Sequence, residues 1–119
     1  MGKEGKLKQS AIAFSVKLMH LYDKIERKAF MKNQLARSGT SIGANIHEAD
    51  YAESPDDFLH KMAIALKECH ETEYWMMILS ESCPELAEEA TMLQHEAGSI
   101  RRMLIATITT LKKSLGKLE

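Results

Sequence analysis

Aromatic residues are scarce in this chain, with one Trp, three Tyr and three Phe among 119 residues. Proline occurs only at Pro55 and Pro84, and few β-branched runs are present. A strand-rich fold is poorly served by such a supply, so the core is expected to be aliphatic and helical. Only two cysteines occur, Cys69 and Cys83, without a CxxC spacing. That excludes a disulfide framework and a thiolate metal or redox motif, and reduced thiols in a cytoplasmic protein are expected. The longest apolar stretch runs from Trp75 to Leu79 after Tyr74, far short of the roughly 20 residues of a membrane span. No secretory signal precedes the first apolar stripe, so neither export nor a membrane partner is expected.

What is present is a helical pattern. Apolar residues make up 45% of the chain, eight of them Met, and the length suits a single domain over residues 1–119. Leu7, Ala11, Phe14, Leu18, Leu21 and Ile25 form a buried-helix stripe, which predicts a first helix over about 6–28. A second is expected over about 30–51. Ser54-Pro55-Asp56-Asp57 reads as a helix start, with Ser as N-cap and Pro at the first position, and predicts a third helix over about 55–80. Its inward residues are expected to be Phe58, Met62, Ala65, Leu66, Cys69, Met76 and Leu79. Ser82-Cys83-Pro84-Glu85 repeats the start signal, and a near-heptad stripe from Leu86 to Leu115 predicts a fourth helix over about 84–115, ending before Gly116. Four long helices with short connections predict an all-α, antiparallel up-down-up-down four-helix bundle.

The most distinctive segment is the run from Arg37 to Ala49, rich in small residues yet helical in period. Leu35, Gly39, Ile42, Ile46 and Ala49 recur at steps of four and three, which places them on one face. Gly39 and Gly43 cost such a helix about 1 kcal/mol each relative to Ala. Close approach of another backbone is the expected compensation, since a small-xxx-small ridge removes the side chains that hold helices apart. Gly39 and Gly43 lack the Lys and the strand-to-helix context of a phosphate loop.

Catalytic and metal constellations fail on spacing. Ferritin-like di-iron bundles use this architecture with paired Glu-x-x-His motifs. Here Lys17, Ala44, Asp57, Lys67 and Met92 stand three residues before the five histidines, so the motif is missing. The pairs His47-Glu48, His70-Glu71 and His95-Glu96 are adjacent, and adjacent residues point about 100° apart on a helix. Ser38, Thr40 and Ser41 have His47 nearby but no pattern that supplies base, orienter and oxyanion donors. No catalytic residue, metal, cofactor or small-molecule substrate is therefore expected, and a metal-dependent enzyme is the weakest of the readings weighed.

Charge is partitioned although the net charge is −1. Lysine and arginine concentrate at the two ends of the chain, and acids dominate the middle. Lys3, Lys6, Lys8, Arg101, Arg102, Lys112, Lys113 and Lys117 belong to the first and last helices, which would form a basic flank opposite an acidic one. Such a flank suits a head-to-tail contact between copies that closes into a ring, or RNA phosphates, or it is an ordinary solvated surface. Arg37, Asn45, Glu48, Lys61, Glu68 and Glu71 would meet where the second and third helices pack, as a polar network fixing register or a subunit contact, or as solvated faces.

The stretch Leu35-Ala36-Arg37-Ser38-Gly39-Thr40-Ser41-Ile42-Gly43-Ala44-Asn45-Ile46-His47-Glu48-Ala49, followed by Ser54, Asp57-Phe58, Ala65 to Glu68 and Glu71 to Trp75, resembles the bacterial 23S rRNA intervening-sequence proteins. The similarity runs from about Phe30 to Leu79. It implies a left-handed four-helix bundle assembled as a ring, commonly a homopentamer, with Gly39, Ile42, Gly43, Asn45 and Glu48 as its structural motif. A related branch serves as the accessory variability protein of diversity-generating retroelements, where a basic surface engages RNA and a reverse transcriptase. The expected function is accordingly a non-enzymatic homo-oligomer that binds RNA or a ribonucleoprotein, with a pure protein scaffold as the alternative.

Overall fold

The structure, a computed structural model, describes residues 3–26 and 28–117, with the backbone alone at residues 3 and 4. Those residues form four α-helices and no strand: α1 over Lys3–Lys24, α2 over Ala29–Ala49, α3 over Pro55–Ser82 and α4 over Ala87–Ser114. Each helix packs on two others: α1 and α3 each contact α2 and α4. The diagonal pairs α1/α3 and α2/α4 have no Cα atoms within 8 Å among the described residues. The result is a four-cornered rod of 47 × 25 × 25 Å.

The stripes read from the sequence are the faces that meet at its centre. All six residues of the α1 stripe are at most 2% exposed, and Leu35, Ile42, Ile46, Met62, Ala65, Cys69, Met76, Leu79, Ala90, Leu93, Ala97, Ile100 and Leu104 join them. Burying a side chain of this size stabilises by about 1.5–3 kcal/mol, and the apolar stripe rather than intrinsic propensity holds each helix. Two expectations shift within α3: Phe58 and Leu66 are only half-buried, while Leu59 and Thr72 turn inward. The α4 stripe also loses depth towards its end, where Ile108 and Leu111 are half-buried and Leu115 is exposed.

The helix ends show which start and stop signals operate. Ser54 caps α3 as expected, its hydroxyl accepting the Asp57 N–H at 3.0 Å. At Ser82 the expectation fails, because α3 continues through that residue and Cys83 N–H still bonds Leu79 O at 2.9 Å. Pro84–Leu86 then form a single 3-10 turn, and α4 begins only at Ala87 without a side-chain cap. Gly116, at φ +71°, closes α4: its N–H reaches Lys113 O and the Lys117 N–H reaches Lys112 O, the paired bonds of a Schellman motif. Helix α1 stops at Lys24, earlier than its apolar period suggests, because Ile25 belongs to the core while leaving the helix. The Lys32 ammonium donates to the free Ile25 carbonyl at 2.8 Å, and Lys28 reverses the chain in the left-handed region at φ 60°. No Gly or Pro announces this turn; a lysine bears its conformational cost.

The small-residue run lies wholly inside α2 and faces α1. Its two glycines serve different neighbours. A Cβ at Gly39 would fall 2.1 Å from Leu18 Cδ2, so the notch there receives a side chain rather than the backbone that the sequence suggested. At Gly43 a Cβ would meet Ser15 Oγ at 3.3 Å and the Ala11 carbonyl oxygen at 3.6 Å, and here the backbones do converge. Replacing Gly43 with Leu should therefore cost about 1–3 kcal/mol through overpacking, whereas Lys113→Ala, at an exposed site, should stay within about 0.5 kcal/mol. Urea midpoints for the two variants check this, and equal midpoints would remove the close-approach account.

Candidate interaction surfaces

The polar residues singled out between α2 and α3 separate into two ion-paired groups and one self-contained side chain. On α2, the Arg37 guanidinium reaches Glu68 at 3.4 Å and Glu71, both on α3, while its Nε donates to Gln34 Oε1 at 3.2 Å. Glu71 also accepts the Trp75 indole N–H at 3.0 Å. The two hydrogen bonds, from Arg37 first and Trp75 second, hold the Glu71 carboxyl below its ordinary pKa, and the bond to Glu71 raises that of Arg37. Further along the seam Lys61 Nζ lies 3.2 Å from Glu48 Oε1. Asn45 joins neither group: its amide donates to the Ser41 carbonyl of its own helix at 2.8 Å, so no interhelical network runs through it. Gly39 and Ile42 are buried, and Gly43 is half-buried against α1.

The fully buried polar link is one the sequence reading missed. Thr72 Oγ1 on α3 donates to Ser38 Oγ on α2 at 2.9 Å, and the Ser38 hydroxyl in turn donates to the Leu35 carbonyl at 3.4 Å. Both residues are 0% exposed. The signal was available: Ser38 lies between Leu35 and Ile42, and Thr72 between Cys69 and Met76, so each occupies a stripe position with a polar residue.

The expected separation into a basic and an acidic flank is not what the side chains form. Lys8 pairs with Asp50 at 2.8 Å, Lys17 with Glu96 at 2.9 Å, Lys24 with Glu89 at 2.9 Å, Arg101 with Glu73 at 2.7 Å and Lys117 with Asp56 at 3.2 Å. Opposite charges thus interleave along the helix seams, because the first half of α4 carries acids that face α1. Among the described residues, Lys6, Arg102, Lys112 and Lys113 form no ion pair, and Arg102 bonds only Ser99 Oγ at 3.1 Å. Lys6 and Arg102 border a shallow cleft of about 290 Å³ with Met103, Ala106 and Thr107. The side chain of Lys3 lies outside the described residues.

Both cysteines are unpaired thiols, and their surroundings differ. Burial, with the Glu73 charge behind it, pushes Cys69 up to about 12, so this thiol stays protonated inside the bundle. Cys83 is half-buried and lines a cavity of about 520 Å³ bordered by Lys24, Lys28 and Glu85. Among the described residues no three His, Cys, Asp or Glu side chains converge in a set that could hold a metal ion, and no helix is long and apolar enough to cross a membrane.

The four-helix fold has a counterpart among known proteins. The model of the 23S rRNA-intervening sequence proteins matches residues 3–106. The chain belongs to that family. A solved structure of the S23 ribosomal protein family, a protein of unknown function from Bacteroides thetaiotaomicron, is 38% identical and superposes with a TM-score of 0.82. The match covers 90% of this chain and 98% of that one. No curated protein matches the chain.

Ser38→Ala should destabilise by about 1–3 kcal/mol, because it strands the buried Thr72 hydroxyl. The double variant Ser38→Ala with Thr72→Val should cost less than the sum of the singles, a coupling that a denaturation cycle measures directly. Additive costs would mean that the two hydroxyls act independently. Glu71 makes a pH-dependent contribution. Its folded pKa is depressed, so its pairing stabilises above the ordinary value of 4.5 and is lost as pH falls through the lower folded value. Glu71→Gln should be less stable than the parent chain at pH 7 and converge on it in acid, as followed by urea unfolding across pH.

Proposed function

We propose that this protein is a non-enzymatic, cytoplasmic homo-oligomer, assembled as a pentameric ring of left-handed, antiparallel up-down-up-down bundles, that binds RNA or a ribonucleoprotein. The chain direction is supported by the ion pairs: Lys8, early in α1, meets Asp50 just after α2, and Glu48, late in α2, meets Lys61, early in α3. Membership of the family supports the ring and the RNA role as expectations, since its sequence pattern also resembles the accessory variability proteins of diversity-generating retroelements. The single observation that carries the RNA reading is the set of unneutralised cations on α1 and α4. Lys6 and Arg102 share one cleft, and Lys113 follows Arg102 by 11 residues, close to three turns, on the same face of α4. Phosphate contacts of this kind give sequence-independent, salt-dependent affinity.

A scaffold without nucleic acid is the second reading, and the five ion pairs that neutralise Lys8, Lys17, Lys24, Arg101 and Lys117 favour it. Native mass spectrometry with and without a structured RNA separates the two. The RNA reading expects a ring-sized species that takes up RNA at low salt. It also expects Arg102→Glu with Lys113→Glu to weaken the complex and to lower the slope of log K against log salt by about one for each phosphate no longer bound. A ring that takes up no RNA at low salt selects the scaffold.

A further inference from the structure

Two shallow clefts open on the seam between α1 and α4. The first, of about 290 Å³, is the one that Lys6 and Arg102 border, and its other walls are Met103, Ala106 and Thr107. The second, of about 250 Å³, is lined by Ser10, Ala13 and Ser99 above the buried Ile100, with the Lys17–Glu96 pair beside it. The clefts adjoin, because the Arg102 guanidinium at the border of the first donates to Ser99 Oγ of the second at 3.1 Å. Their cause is visible in the residue types. Ser10, Ala13, Ser99 and Ala106 are too short to fill the angle between two helices whose large apolar side chains point deeper.

The two clefts differ in chemistry. In the first, two cations that form no ion pair among the described residues stand beside an apolar wall. In the second, Lys17 and Glu96 cancel one another and hydroxyls remain. Among the described residues, the Ser10 and Thr107 hydroxyls bond no other group of the chain and can bond a ligand. An anion held by surface charge alone needs Lys6 and Arg102 but makes no use of Met103 and Ala106. Duplex RNA is such a ligand, since it turns its bases inward and presents phosphates and 2′-hydroxyls. An unpaired strand instead offers a phosphate and an exposed base within a single nucleotide, which matches cations beside an apolar wall. The cleft volume lies at the small end of the range for ligand pockets, about 300–1,000 Å³, and suits one base. No aromatic side chain lines either cleft, so the flat surface available to a base is the Arg102 guanidinium.

We propose that the α1–α4 seam is a groove for single-stranded RNA: an unpaired base enters the first cleft against Met103 and Ala106, Lys6 and Arg102 hold its phosphate, and the neighbouring ribose meets the hydroxyls of the second cleft. This rests on the RNA reading above and specifies which form of RNA is bound and where. Ala106→Leu and Ala106→Gln each fill the cleft without altering charge, at an exposed helical position that accepts both residues. Fluorescence anisotropy at low salt, with a short labelled RNA either single-stranded or annealed to its complement, reads the effect. The parent chain should bind the single strand on the order of tenfold more tightly than the duplex, the contribution of one base contact. Both Ala106 variants should lose that preference while binding the duplex as the parent does, and circular dichroism reports their fold. Dodecyl phosphate, which carries the charge and an alkyl chain but no base, should displace the strand no better than adenosine monophosphate. Stronger displacement by dodecyl phosphate assigns the cleft to an anionic lipid and overturns the proposal. Equal affinity of the parent for both RNA forms, or a preference unchanged in both folded variants, overturns the groove and leaves RNA binding by surface charge standing. If the parent binds neither form, the RNA reading itself falls and takes this proposal with it.

Discussion

The fit between α1 and the small-residue face of α2 is the constraint on which the rest of the bundle depends. Leu18 occupies the space that a side chain at Gly39 would fill, and the Ala11 backbone lies against Gly43. This fit sets the rotation of α1, which sends Leu7, Ala11, Phe14, Leu18, Leu21 and Ile25 to the centre together. With α1 fixed, α2 presents its other buried residues to α3, and the two remaining corners follow from the stripes of α3 and α4. A packed interior admits few alternatives once one such contact is set. The helix-propensity cost of two glycines is therefore a local concession to a tertiary contact.

Polar groups reinforce the arrangement without dominating it. Among the described residues, the Ser38–Thr72 hydrogen bond is the one polar link in the dry interior between α2 and α3. It is sensitive to register, because a shift of one turn would leave the buried Thr72 hydroxyl without its partner. The ion pairs at the seams are largely exposed and individually worth about 0–1 kcal/mol. Their value lies in matching neighbours. Arg37 meets two carboxylates across α2 and α3, and Arg101 meets Glu73 across α3 and α4.

Most of the fold was legible because burial imposes a period on sequence. The four stripes, the Ser54 cap and the Gly116 stop each correspond to a residue pattern with a direct physical cause. The turn after α1 was not legible, since it depends on Lys28 adopting a left-handed conformation and on Lys32 reaching back to Ile25, neither of which leaves a local mark. The second start signal misled because Ser82 and Pro84 have the right chemistry for a cap while α3 has enough apolar contact to run through the serine. Around the motif, Arg37 pairs with Glu68 and Glu71 across the seam, whereas the Asn45 amide bonds within its own helix, a choice that residue type and spacing do not announce. Summed charge along the chain misplaced the flanks because it takes no account of which residues face one another; α4 places Glu89 and Glu96 against the lysines of α1.

The diagonal gaps in the bundle also bear on how the chain reaches this structure. Three of its four packed helix pairs join consecutive elements, and only α1 with α4 brings together distant parts of the sequence. Such a topology is dominated by short loop closures, which belongs with rapid folding. The first three helices have neighbours to pack against before α4 is complete, and the α1–α4 seam closes last. During synthesis, the nascent chain would therefore expose the inner flanks of α1 and α3 until the final helix emerges, so the last quarter of the sequence acts as the closing wall of its own core.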